Sequence, residues 1–354
     1  MKGSNLRVKD IGEFQLIERL TEVLGSTARG EGQGVIRGIG DDAAVLQSTP
    51  GTRLLATCDI MVEGKHFDLS YFTFSQVGKR ALAINLSDIA AMGGHPRWAL
   101  VSLGIPPETE VKSVEEIYSG MAELAEEYGV NIIGGDTSSS AGNLVIDICL
   151  LGEAYRSEVT YRSGARDGDL ILVTGTLGSA AAGLACLKHK IDISELDGAE
   201  DVVRSHLTPT PRIKEASYII NNANVGALND ISDGLATELW EITQASGCGA
   251  RIFEERLPIS RATLNIAHSI GVDPLDWVLY GGEDFELLLT IPGGKGTPLM
   301  LRKITRGLKR LTGTSLSAIG RIVPSGNEFI RRKGDAEELF PKGYNHFRPK
   351  NNTT

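Results

Sequence analysis

Apolar residues at Phe14, Ile17, Leu20 and Leu24 fall three and four positions apart, which predicts an amphipathic helix over residues 11–24. A glycine-rich stretch from Gly25 to Gly40 interrupts the pattern. Leu54–Asp59 then reads as a short strand, Ser75–Met92 as a helix, and Trp98–Ile105 as a strand stopped by Pro106 and Pro107. Helical spacing returns at Val114, Ile117, Met121 and Leu124, predicting a helix over Ser113–Tyr128 with Ser113 as N-cap and Glu116 completing a capping box. Asn143–Gly152 is the next predicted strand. From Arg156 to Gly168 the apolar period stops and charged residues, glycine and serine take over, which marks a domain boundary. Beyond it the pattern predicts a strand at Asp169–Thr174, helices near 178–188 and 211–222, a strand ending at Asp230, a helix at Ser232–Ser246 and a continuously apolar strand at Phe285–Ile291. Thr210 and Pro211 suit the N-cap and first turn of the second of those helices. This alternation places the chain in the α/β or α+β class with two domains.

Composition narrows the function. Glycine supplies 42 of 354 residues, about 12% against a usual ~7%, so the backbone turns tightly or approaches a ligand at many places. The formal net charge of −9 has the wrong sign for a nucleic-acid partner, and a polyanionic ligand would need cations as intermediaries. Cys58, Cys149, Cys186 and Cys248 are scattered, fitting neither a zinc ribbon nor a disulfide framework and implying a reducing compartment. The first twenty residues mix Lys2, Arg7, Lys9, Asp10, Glu13 and Glu18 with no apolar core, so a cytoplasmic protein is expected. The charge-free run Leu170–Leu187 is divided by Gly175, Gly178 and Gly183 and reads as strand, turn and helix, leaving no expected membrane span.

The chemistry lies in carboxylates set against glycines: Gly38-Ile39-Gly40-Asp41-Asp42, Gly134-Gly135-Asp136-Thr137, Asp230-Ile231-Ser232-Asp233-Gly234 and Gly281-Gly282-Glu283-Asp284, with Asp59 closing the strand that begins at Leu54. Any one of these is an ordinary turn former; their joint occurrence is not. Asp88 lies in Ala81–Met92, a helix apolar almost all round, with no Arg or Lys within a turn, so its carboxylate needs a metal, a ligand or a satisfied core partner. Oxygen donors without a Cys/His cluster point to Mg2+. The P-loop, the dinucleotide fingerprint, the kinase catalytic loop and the nucleophile elbow are all missing. His66, in a glycine-containing loop after Asp59, reads equally as a phosphate contact or a surface histidine, and Arg162 as a phosphate fork or a solvated side chain. His95, His189, His206 and His268 read as ordinary structural or surface histidines.

Together these segments resemble the thiamine-monophosphate kinase family, within the superfamily that includes aminoimidazole ribonucleotide synthetase. The resemblance rests on Gly38–Ala44, Asp59–Phe67, Ala81–Met92 with Asn85-Leu86-Ser87-Asp88, Gly134–Thr137, Arg162–Ala165, Asp230–Leu235, Gly281–Leu287 and Lys342–Phe347. It implies an N-terminal ATP/Mg2+-binding and dimerisation domain over 1–157, forming a β-barrel across a homodimer, a C-terminal α/β domain over 158–347 and a frayed tail at 348–354. It further implies ATP-dependent phosphorylation of thiamine monophosphate to thiamine diphosphate, with several Mg2+ ions on Asp42, Thr57, Cys58, Asp59, Asp88, Asp136, Asp230 and Asp233. ATP would meet Tyr118, Gly135, Asp136, Arg162 and Ser232, and the thiamine phosphate His66, Glu283 and Tyr344. Two departures stand out: Cys58 and Tyr161 occupy positions where threonine is common, and Cys58 could offer a magnesium site only its backbone carbonyl. The acceptor, a phosphate monoester with a second pKa near ~6, is already ionised at neutral pH, so no general base is required. A sibling synthetase and a nucleotide-binding regulator without turnover are the competing readings.

Overall fold

The computed structural model describes residues 6–29, 34–40, 43–193 and 196–343. Two compact units divide the chain: residues up to Val159 together with Leu207–Ser217, and Thr160–His206 together with the residues from Tyr218 onward.

In the first unit the chain runs α1 (Val8–Leu24), α2 (Ser26–Arg29), β1 (Val35–Arg37), β2 (Val45–Leu46), β3 (Thr52–Val62), α3 (Phe74–Ala91), β4 (His95–Ile105), α4 (Val111–Tyr128), β5 (Asn131–Ser139) and β6 (Val145–Tyr155). Four strands form a sheet in the order β3-β6-β4-β5, with β4 and β5 parallel and the other neighbours antiparallel. One face of that sheet is closed off by apolar side chains such as Met61, Val101, Leu103, Ile146 and Ile148, all at most 2% exposed. Helix α3 is capped by Thr73 and Gln76 in a reciprocal capping box and is buried over most of its circumference, as its apolar sequence predicts. It meets α4 backbone to backbone: a Cβ on Gly78 would lie 1.9 Å from the Ile117 carbonyl oxygen, and one on Gly120 2.0 Å from that of Ser75. Only glycine permits that approach.

Several boundaries differ from the sequence pattern. β3 and β6 extend well past the apolar cores that announce them, because their eleven-residue antiparallel ladder carries Thr52 and Arg53 along with it. β5 covers Gly134–Thr137, a segment with turn composition that parallel pairing to β4 holds extended. Helix α4 begins at Val111, with Glu110 rather than Ser113 as N-cap and no side-chain cap bond. The Arg7–Glu110 bridge and the Val111 N–H to Leu6 carbonyl bond set its entry instead.

The rest of the chain runs β7 (Leu170–Thr174), α5 (Ser179–His189), α6 (Ala199–Leu207), α7 (Ile213–Asn222), β8 (Leu228–Asp230), α8 (Leu235–Ser246), β9 (Gly249–Phe253), a 3-10 turn (Glu254–Arg256), α9 (Arg261–Ile270), α10 (Pro274–Tyr280), β10 (Leu287–Ile291), α11 (Thr297–Thr312), β11 (Leu316–Val323), β12 (Asn327–Ile330) and β13 (Ala336–Glu338). Its seven strands order as β13-β12-β9-β11-β7-β10-β8. A core of Ile171, Val173, Leu235, Leu239, Ile252 and Leu288 joins α8 to that sheet. Helix α7 starts at Ile213, past Thr210 and Pro211, and α8 starts at Leu235, so Ser232 and Asp233 stand in the turn ahead of it. Among the described residues no helix is long and apolar enough to cross a membrane.

Candidate active site

β3 alternates its side chains across the sheet, so Thr57 and Asp59 turn toward one face and Cys58 and Ile60 toward the other. On the helical face, the Thr57 hydroxyl donates to the Asp88 carboxylate of α3. Asp59 is also hydrogen-bonded to Asp88; burial first, then the negative charges of Asp88 and Asp147, push its carboxyl up to about 6. A carboxylate pair with a hydroxyl beside it is a hard-oxygen donor set carrying unrelieved repulsion, and it fits a divalent cation such as Mg2+. Among the described residues no three His, Cys, Asp or Glu side chains converge on one point, so this pair is part of an ion's shell at most.

On the opposite face, the Cys58 thiol donates to Asp147 Oδ1 at 3.4 Å, and burial with that bond pushes the thiol up to about 11. The Cys58 side chain therefore faces away from Asp59. Asp147 pairs in register with Ser102, and Ser102 with Asp136, so Asp136 and Asp147 share this second face. Gly135 precedes Asp136 at φ +149°, where a Cβ would lie 1.8 Å from the Val101 carbonyl oxygen. Tyr118 is buried in α4. In the loop after β3 the Val62 N–H donates to His66 Nδ1 at 3.0 Å, which puts the proton of the neutral imidazole on Nε2 as a donor.

The second unit gathers its own set. Asp230 ends β8 and is buried. In the turn that follows, Glu238 of α8 accepts from the Ser232 hydroxyl and the Asp233 N–H, each at 3.1 Å, and from the Asn229 amide. Burial, then the charge of Asp230, raises the Glu238 carboxyl above the usual range. Arg162 reaches Asn229 Oδ1 through Nε at 3.0 Å and Glu241 through Nη1 at 3.0 Å, so its guanidinium fork is already aligned by two partners. Opposite this turn, Gly282, Glu283 and Phe285 adopt φ of +66°, +61° and +49°. Two consecutive backbone bonds, Glu283 N–H to Ser232 O at 2.6 Å and Phe285 N–H to Ile231 O at 2.9 Å, hold that conformation. Positive φ at two non-glycine residues is strain of the kind that clusters at ligand clamps. Asp284 caps α5 by accepting from the Gly178 and Ala180 N–H groups, so its role is structural.

These elements match known proteins over most of the chain. Residues 40–154 match the AIR synthase related protein N-terminal domain, and residues 166–332 its C-terminal domain. Over 345 residues the sequence is 35% identical to a thiamine-monophosphate kinase from Aquifex aeolicus strain VF5, covering 97% of this chain and all of that one. The chain belongs to the thiamine-monophosphate kinase family. A crystal structure of the family's member from Stenotrophomonas maltophilia K279a superposes with a TM-score of 0.77 at 32% identity, covering 92% of this chain and 98% of that one. A structure of AaThiL complexed with AMPPCP and TMP superposes at 0.73 with 34% identity, covering 97% and 99%.

Of the residues that family membership brings forward, Thr57, Asp59 and Asp88 meet in the first unit, and Arg162, Asp230, Ser232, Asp233 and Glu283 surround one turn in the second. Asp42 and Tyr344 lie outside the described residues. Sequence reading missed Asp147, Asn229, Glu238 and Glu241, which hold the named residues in place. His206, which reads from sequence as an ordinary histidine, is buried with its Nδ1 3.4 Å from Glu283 Oε2. Glu238 had a local signal, an acid in the first turn of α8 within reach of the Ser232–Asp233 turn, whereas Asp147 and the Arg162 contacts of Asn229 and Glu241 are set by strand pairing or by segments distant in sequence.

Proposed function

We propose that this chain transfers the γ-phosphoryl group of ATP onto the phosphate of thiamine monophosphate, giving thiamine diphosphate and ADP. The observation that carries this reading is the near-complete superposition, at 34% identity, on a protein complexed with AMPPCP and TMP. Asp42, Thr57, Asp59, Asp88, Asp136, Asp230, Asp233 and the Cys58 carbonyl would hold Mg2+, which supplies charge neutralisation between two phosphate anions that otherwise repel. Arg162 and Ser232, with Tyr118, Gly135 and Asp136, would orient ATP. His66, Glu283 and Tyr344 would seat the thiamine phosphate, His66 donating from Nε2 to a phosphate oxygen. Because the acceptor oxygen is already ionised, these residues position and neutralise rather than move a proton, and transfer is direct and in line, without a phosphoenzyme.

Residues 1–157 would form the N-terminal ATP/Mg2+-binding and dimerisation domain, and 158–347 the C-terminal synthetase-like domain. Along β3 the outward-facing Leu54 (58% exposed), Ala56, Cys58 and Ile60 (52% exposed) make an exposed apolar row on a face that Asp147 and Asp136 continue as polar on the neighbouring strands, and that row supports a homodimer closed as a β-barrel. The working compartment would be the cytoplasm.

The test is thiamine diphosphate formation by purified protein with ATP and Mg2+, with thiamine monophosphate, free thiamine and aminoimidazole ribonucleotide precursors as alternative acceptors. Product from the monophosphate alone is the expected result. ATP binding without product from any acceptor would point to a regulator without turnover.

A further inference from the structure

Helix α11 carries Arg302, Lys303, Arg306, Lys309 and Arg310 and no acidic residue, in a chain whose net charge is −9. All five are exposed, and none is ion-paired or hydrogen-bonded through its side chain among the described residues. At about 100° per residue they fall within an arc of about 120°, opposite the buried stripe of Thr297, Ile304 and Leu308, and Arg302 to Arg310 spans about 12 Å. Lys309 and Arg310 complement the negative end of the helix dipole, which accounts for two of the five. Arg302, Lys303 and Arg306 gain nothing there. Arg306 instead meets like charges at i−4, i−3, i+3 and i+4, an arrangement that destabilises an isolated helix. Beside this row lies a groove of about 850 Å3, lined by Leu301, Arg302, Thr305, Arg306, Lys309 and Arg310.

We propose that this groove is a second anion site, for a small polyphosphorylated molecule with three or more negative charges. Four cations along one side of an open groove of ligand size match that charge, and an anion seated against them relieves the repulsion that the bare helix carries. A small ligand is favoured over an extended polyanion because fields are screened within ~8–10 Å. Such a ligand meets only the local cations, whereas a nucleic acid or a lipid surface would also press against the rest of an acidic protein. The site uses none of the residues assigned to the phosphoryl-transfer reaction.

The probe is inorganic tripolyphosphate, titrated calorimetrically into the full-length protein after divalent metal has been stripped on a chelating resin, which prevents metal-mediated capture by the acidic residues of the reaction site without adding a competing polyanion. The expected result is one equivalent bound, with affinity falling as salt rises and a higher melting temperature in its presence. Arg306→Glu with Arg310→Glu should weaken that binding by about tenfold or more while leaving KM for ATP and for thiamine monophosphate unchanged. The milder Arg302→Gln with Arg306→Gln should act in the same direction should the reversed charges disturb folding. Wild-type protein that fails to bind, variants that bind as tightly as wild type, or orthophosphate that binds as well as tripolyphosphate would each overturn the proposal. Retention on anionic vesicles or heparin without tripolyphosphate binding would also overturn it.

Discussion

The backbone N–H of Glu283 donates to the carbonyl oxygen of Ser232 at 2.6 Å, so the loop proposed to seat the acceptor and the turn proposed to hold ATP form one hydrogen-bonded piece. Glu283 keeps this bond only by accepting φ +61°. Glu283→Gly should retain the bond and release strain of order 1 kcal/mol, leaving the protein as stable as wild type or more so. It should raise KM for thiamine monophosphate by about tenfold or more while KM for ATP changes little. Steady-state kinetics with each substrate varied, and urea unfolding, check both halves; a KM for ATP raised equally would place Glu283 elsewhere.

Asp88 receives the Thr57 hydroxyl and sits beside Asp59. Asp88→Asn removes one charge from the pair but keeps its shape, so the fold should persist and the metal-free protein should be no less stable. Turnover should fall about 100-fold or more, with the Mg2+ concentration for half-maximal rate rising. Full activity in this variant would contradict a metal role.

The Asp59 carboxyl is raised from its ordinary 3.8 to about 6, so between those values the folded protein binds a proton there that the unfolded chain does not. Its contribution is therefore fully present below about pH 4 and is lost as pH rises through about 6. In EDTA the unfolding free energy should drop across that window by an amount of order 1–3 kcal/mol attributable to this residue. Asp59→Asn should remove that part of the slope and stabilise the metal-free protein at neutral pH. Urea titrations of both proteins at several pH values decide it, and parallel slopes would refute the assignment.

At the α3–α4 contact a methyl group on Gly78 would lie 1.9 Å from the Ile117 carbonyl, a backbone atom that cannot swing aside. Gly78→Ala should destabilise the protein by about 1–3 kcal/mol through forced separation of the helices. Because Asp88 rides on α3, activity should fall as well. A denaturant midpoint equal to that of wild type would show that the helices part without cost.

Local sequence determined a great deal here. The apolar circumference of Ala81–Met92 already made α3 a buried helix with one carboxylate in need of a partner. The glycine–acid pattern of Asp230–Gly234 and Gly281–Asp284 marked two segments that, beyond Asp230, the structure leaves outside helix and strand, whereas Gly134–Thr137 became strand. The apolar run from Leu54 marked a strand closed by Asp59, which the structure extends as β3 over Thr52–Val62. Tertiary structure decided which acids meet. The β3–β6 ladder puts Asp147 opposite Ile60, within diagonal reach of the Cys58 thiol, Arg162 joins Asn229 and Glu241 from a distant segment, and the strained Gly282–Phe285 loop brings Glu283 to Ser232 and His206. Patterning reports which face a residue takes within its own element. Register and loop docking arise from contacts between distant segments, whose energies depend on the assembled core and leave no local trace.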